Sequence, residues 1–302
     1  MKHYPCAIIS LLLGATLLSA AESNVPATAD SQPESSVNDA AAQYQRARAY
    51  LRGEGVPKDP QKAFELMKAA ADQGHAEAIG GLGYFYSVGV AVAKDEKQAI
   101  EWFRKGAEKG SAKAQFNLGK VLLDDKAAAT EDSEKNRSEG LQWIQKAADQ
   151  KLTEAALFYG EFLYFGDQGI EKDYDRAAHY FKIAADAGNP DAQNFLGTMS
   201  DFGWGVPADA AMAQQWFRKA ALQGNAKAQS NLGRILGPFS DRKETRVESF
   251  AWLLIASEQG EVTAQKEIEE SPGALKEGEM DAACKMADEL RKQIAAKTSR
   301  PN

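Results

Sequence analysis

The sequence predicts an all-α chain of about six helix-turn-helix repeats, closed at its C-terminal end by a capping helix. Three observations carry this. Small residues recur in columns at a period near 36, capping residues recur at one place in each period, and apolar residues follow at spacings of three and four.

The columns come first. Aligned on an alanine pair, or a close variant, followed three residues later by glycine, the copies end at Gly74, Gly110, Gly188, Gly224 and Gly260, with Lys151 in the glycine's place in the third. The spacings are 36, 41, 37, 36 and 36 residues. A further alanine column holds Ala78, Ala114, Ala155, Ala192, Ala228 and Ala264, and five residues after each of the first five stand Gly83, Gly119, Gly160, Gly197 and Gly233. Six units result, at 41–77, 78–113, 114–154, 155–191, 192–227 and 228–264.

Each unit reads as two helices. The first runs from the alanine column through glycine to an aromatic or apolar residue, and in the best copies ends in a turn, Gly53-Glu54-Gly55-Val56 or Gly203-Trp204-Gly205-Val206. The second is expected to start at Asp59, Asp95, Asn136, Asp173, Asp209 or Thr245, all able to accept a bond from a free N–H of the first turn. Gln98, Glu139 and Glu248 complete capping boxes in units two, three and six. Spacings such as Phe64, Met67, Ala70 and Ala71 give each second helix one apolar face, which a lone unit would leave uncovered.

Unit three is longer because the charged, alanine-rich stretch from Asp124 to Ser138 replaces its turn, and a protruding loop is expected there. Beyond the repeats, residues 265–302 hold an amphipathic segment, Glu279 to Ile294, read as the cap. Ahead of them, residues 22–40 lack periodicity and read as a disordered linker. Residues 1–21 resemble a secretory leader, with Lys2 and His3, an apolar run from Ala7 to Leu18, and Ser19-Ala20-Ala21 before Glu22. The expected location is periplasmic or secreted, without membrane insertion, since no segment approaches the roughly 20 apolar residues of a span. Cys6 precedes the apolar run, which argues against a lipid anchor.

Charge and chemistry narrow the function. The chain has 36 Lys and Arg against 43 Asp and Glu, a net charge of -7, so nucleic acid is not the expected partner. Without the leader, Cys284 is the sole thiol, and His75 and His179 lie in no ligand-like pair, so no metal, cofactor or catalytic residue is assigned. The expected activity is binding of another protein, not catalysis.

Helical angles give the binding candidates. Residues two, three, six and ten after each alanine of a first helix point away from the core face at 100° per residue. That ridge carries Tyr84, Phe116, Asn117, Lys120, Phe158, Glu161, Asn194, Phe195, Asn231 and Arg234, together with Tyr44, Gln45, Arg48, Gly80, Gly81, Leu157 and Thr198. Aromatic residues beside amides and cations suit a protein-binding groove. The competing reading is that Phe116, Leu157, Phe158 and Phe195 pack between neighbouring units.

The stretch from Tyr50 through Gly53, Gly55, Val56, Lys58 and Asp59 to Lys68 and Gly74 resembles the Sel-one-like repeat, a relative of the tetratricopeptide repeat. The resemblance covers about residues 41–264, with units three and six diverged. It implies a right-handed α/α superhelical solenoid whose first helices line a concave face, acting as a scaffold or adaptor in the bacterial envelope. Exported members of that family also include immunity proteins that neutralise secreted toxins such as phospholipases, which is the first alternative. An envelope enzyme or β-lactam-binding protein is the second; the repeat-linked disulfides of the β-lactam-binding subgroup have no counterpart in this sequence.

Overall fold

The computed structural model describes residues 39–123, 131–166 and 170–298, and of 131–133 the backbone alone. The leader at 1–21, the linker up to residue 38 and positions 124–130 of the insertion lie outside the described residues. Among the described residues there are helices and no strand. They run in order as α1 (Ala40–Arg52), α2 (Pro60–Asp72), α3 (Ala76–Val88), α4 (Glu96–Glu108), α5 (Ala112–Leu123), α6 (Glu131–Asp149) and α7 (Thr153–Phe165). The second half continues with α8 (Tyr174–Asp186), α9 (Pro190–Phe202), α10 (Ala210–Ala221), α11 (Ala226–Leu236), α12 (Lys243–Glu258), α13 (Val262–Glu269) and α14 (Glu279–Thr298). Odd-numbered helices up to α11 are the first helices of their units, and the even-numbered ones up to α12 are the second.

Within a unit the glycine column decides how closely the two helices approach. A Cβ built on Gly83 would lie 2.5 Å from the Phe103 ring, one on Gly160 2.8 Å from Phe181, and one on Gly197 2.5 Å from Phe217. Gly119 and Gly233 seat Ile144 and Leu253 in the same way, at 2.5 and 2.6 Å. The first helix thus offers bare backbone, and the second lays a buried aromatic or aliphatic side chain on it.

Between units the glue is partly polar. Gln115, Gln193 and Gln229, all buried, donate from Nε2 to carbonyls of the preceding unit, Ala107, Ala185 and Ala221, at 3.1, 3.2 and 3.1 Å. Each also accepts at Oε1 from a glutamine closing its own unit, Gln150, Gln223 and Gln259, at 2.8, 2.8 and 2.7 Å. A buried amide is costly unless its groups are bonded, and here both ends are. First helices of successive units also touch directly: a Cβ on Gly80 would come within 2.6 Å of the Ala114 Cβ, joining α3 to α5. Second helices are instead bridged by long side chains, Arg104 to Glu139, Arg218 to Glu248 and Tyr180 to Asp149. The first helices therefore lie on the tighter, inner side of the stack.

Four of the expected caps are present: Asp59, Asp95, Asp173 and Asp209 each accept from a backbone N–H of the first turn. Asn136 and Thr245 are not caps. Helices α6 and α12 start earlier, at Glu131 and Lys243, and place both residues inside. The expected loop between Asp124 and Ser138 is therefore helical from Glu131 onward. The two capping-box glutamates face elsewhere as well. Glu139 accepts from Arg104 and from the Trp143 indole, and Glu248 from Arg218 and the Trp252 indole. Gln98 does meet its cap, donating to the Asp95 carboxylate at 3.2 Å. Lys151 stands at φ 63, where the other units have glycine at φ values from 85 to 93, a conformation that costs a non-glycine residue about 1–2 kcal/mol.

The cap is tied down by one buried ion pair. Ala283 and Ala287 of α14 pack on α12 against Phe250 and Trp252, and Arg246 meets Glu279 at 2.7 and 3.2 Å. Arg246 also donates to the carbonyls of Ser240 and Asp241, and the Lys276 amide donates to Glu279. Every polar atom of the pair is thus engaged, as burial requires.

Two measurements test this account. Gly197→Ala adds a methyl group where the Phe217 ring already lies. The gain in helix propensity of about 1 kcal/mol is then outweighed by overpacking of about 1–3 kcal/mol. Urea unfolding should show the variant less stable than the parent, and equal or greater stability would refute the seat. The second concerns acid. The hydrogen bonds from Arg246 and then the Lys276 amide hold the Glu279 carboxyl at about 2, against an ordinary 4.5. A depressed carboxyl stabilises the fold fully above its unfolded value and loses that contribution as pH falls through the folded one. Protection of the α14 amides, taken relative to their intrinsic exchange rate at each pH, should therefore fall between about pH 4.5 and 2, and a Glu279→Gln variant should show low protection already at neutral pH, with little further change over that window.

Candidate functional site

The inner faces of α1, α3 and α5, with the start of α7, enclose a cleft of about 650 Å³. Its walls are Tyr44, Leu51, Tyr84, Phe85, Val90, Phe116 and Leu152, and its charged groups are Arg48, Arg52, Lys58, Lys113, Glu77 and Glu154. The floor is glycine: Gly80 and Gly81 hold the positions filled by Phe116 and Asn117 in the next unit and by Leu157 and Phe158 in the one after. Neither carries a side chain into the cleft, and the Ala114 methyl and the Met67 sulfur stand close to where their Cβ atoms would lie. Gly80 is itself buried against Ala114, so the expected outward orientation of that residue is corrected.

Aromatic contacts fix the walls. Tyr44 stacks on His75 at 4.8 Å, and Arg48 lies over the Tyr44 ring at 5.7 Å. His75 has a definite task as well, since its Nδ1 caps α3 by accepting from the Ala78 amide. Burial pushes the Tyr44 hydroxyl above its ordinary pKa. Tyr84 remains 43 % exposed at the centre of the cleft.

Of the ten candidates, Tyr84, Phe116 and Asn117 line this cleft. Lys120 sits beside it with its ammonium over the Phe116 ring at 5.6 Å. The remaining six lie further along the stack and are engaged with one another or with their neighbours. Phe158 meets Phe116 and Phe162 edge to face at 5.7 and 5.0 Å, and Phe195 stacks on Phe181 at 4.4 Å. Asn231 donates to Asn194 at 3.0 Å, and Arg234 pairs with Asp201. Glu161 is half-buried; that burial, then Asp191, raises its carboxyl pKa, against a smaller lowering from Lys227. The packing reading thus holds for Phe158 and Phe195, and Phe116 and Leu157 pack against the same core cluster.

Helical angles missed part of the lining. Glu77, Lys113 and Glu154 stand one residue before the alanine column, four residues ahead of the ridge's third position and so on nearly the same face. Lys58 and Pro60 come from the turn and helix start after α1, where no periodic rule applies.

The most perturbed acids and bases lie outside the cleft. Burial, then the bond to Asp149, pushes the Tyr180 hydroxyl up to about 12; like Glu279, it joins two helices. Among the described residues no group of His, Cys, Asp and Glu is placed to hold a metal ion, and no helix is long and apolar enough to cross a membrane.

A model of the Sel1 repeat matches at residues 40–75, 76–111, 112–152, 153–189, 190–225 and 226–261. The chain belongs to the Sel1 repeat family. Each matched unit begins at the start of a first helix, so the family's period and the helix pairs coincide. Sel1 repeats build a protein-interaction fold. A crystal structure of a Sel1 repeat protein from Oxalobacter formigenes is similar at 32% identity and a TM-score of 0.61, covering 75% of this chain and 91% of that one. An immunity protein from Pseudomonas aeruginosa aligns at 19% identity and a TM-score of 0.47, over 87% of this chain and 84% of its own. The ERAD-associated E3 ubiquitin-protein ligase component HRD3B of Arabidopsis thaliana is 34% identical over 84 residues, which is 28% of this chain and only 13% of the relative.

Proposed function

We propose that this Sel1 repeat chain is a non-catalytic scaffold of the bacterial envelope, holding a partner protein across the inner faces of its first helices. The observation that supports it most is the cleft over Gly80 and Gly81, where exposed Tyr84, the Phe116 ring and the Asn117 amide share the lining with Arg48, Lys58 and Lys113, which make no ion pair among the described residues. Aromatic anchors inside a polar rim are the composition of a protein-binding hot spot. His75 and the strongly shifted tyrosine and glutamate are occupied in capping and in joining helices, which supports a role in binding over one in catalysis.

A photocrosslinking amino acid at position 84 should capture the same partner protein in repeated preparations, while one at position 65, on the exposed side of α2, should not. Equal capture from both positions, or none from position 84, would sink the reading. Placement outside the cytoplasm belongs to the same proposal and is supported by the leader-like residues 1–21. N-terminal sequencing of the chain recovered from the envelope fraction should begin at Glu22; retention of the leader would count against export.

A further inference from the structure

We infer that the cleft takes an acidic segment of its partner, with a bulky apolar residue between the carboxylates. This rests on the protein-binding reading and specifies its chemistry. The chain as a whole is acidic, at 36 basic against 43 acidic residues, yet the cleft reverses that balance with Arg48, Arg52, Lys58 and Lys113 against Glu77 and Glu154. Arg52 is drawn to Glu54 at 3.3 Å, whereas Arg48 donates to the neutral Gln45 amide oxygen at 3.2 Å. Among the described residues neither Arg48, Lys58 nor Lys113 makes an ion pair. Toward the other end of the stack four arginines, Arg218, Arg234, Arg246 and Arg291, meet carboxylates. The cleft thus holds three cations without an ion pair around an apolar centre formed by Tyr84 and Phe116. A neutral or basic segment would leave those cations without a counter-charge. An acidic one pairs them, and its apolar side chain covers the rings.

The test is a selection from a random-peptide display library on the immobilised full chain, followed by fluorescence anisotropy with the enriched peptides. Enriched sequences should combine Asp or Glu with an aromatic or large aliphatic residue. An exposed charge pair is worth up to about 1 kcal/mol, or about fivefold in affinity. The triple variant Arg48→Glu, Lys58→Glu, Lys113→Glu should thus bind at least about tenfold more weakly. The control Lys68→Glu, Lys97→Glu, Lys109→Glu, outside the cleft, should bind within about twofold of the parent. Binding should also weaken with added salt. Unchanged helical circular dichroism and melting would show both variants folded. Enriched peptides that are neutral or basic, need Tyr84 and ignore the triple variant would overturn the acidic specificity while leaving protein binding intact. Enrichment of nothing, or only of peptides bound equally by Tyr84→Ala, would overturn both.

Discussion

The contact on which the rest of the molecule depends is a ring, or in two units an aliphatic side chain, lying on bare helix backbone. At Gly83, Gly160 and Gly197 any side chain would occupy space already held by Phe103, Phe181 and Phe217. That contact fixes the separation of the two helices in units two to six, and because it recurs there it makes those units nearly congruent. Congruent units stack by one repeated step, and a repeated step produces a solenoid. The seat survives in units three and six, where Ile144 and Leu253 replace the ring, so the space on the first helix is the more constant half of the contact.

A second constraint acts across units, and it is polar. The buried glutamines at 115, 193 and 229 reach back to the preceding unit and are held in place by glutamines at 150, 223 and 259. Apolar packing alone tolerates sliding, because one methyl group resembles another. An amide that must satisfy both its ends in a dry interface tolerates very little. Division of labour follows: rings and glycines set the distance within a unit, and amides set the register between units. The inner cleft inherits its shape from both.

Sequence alone revealed a good deal of this and missed the rest for identifiable reasons. Period, helix pairing, the caps at Asp59, Asp95, Asp173 and Asp209 and the terminal helix are local or periodic properties, and residue columns report such properties directly. Asn136 and Thr245 misled because capping ability is not capping. Helices α6 and α12 extend upstream of them, and Arg104 and Arg218, each about thirty residues distant, take the glutamates that a capping box would use. The glutamine column stood in the sequence at a fixed offset from alanine, but its meaning depends on a carbonyl in another unit. For the cleft, periodicity placed Tyr84, Phe116 and Asn117 on one face correctly. It could not separate them from Phe158 or Phe195, which share that face but do not line the cleft.

That separation has a physical origin in two adjacent columns. The second and third residues after each alanine are Gly80 and Gly81 in unit two, Phe116 and Asn117 in unit three, Leu157 and Phe158 in unit four, and Asn194 and Phe195 in unit five. Where bulk is present in consecutive units, as along Phe116, Phe158 and Phe162, each ring rests on the next and the inner surface fills itself. Glycine interrupts the series once. Gly80 lets α3 approach α5, and Gly81 leaves the Met67 sulfur where a Cβ would be, 2.7 Å away. The rings on either side, Tyr44 and Phe116, are then left without a partner between them. A repeat that is regular everywhere would present either a continuous groove or a filled one. A single pair of small residues in one unit lets Ala114 and Met67 approach α3 closely and leaves a cleft beside them.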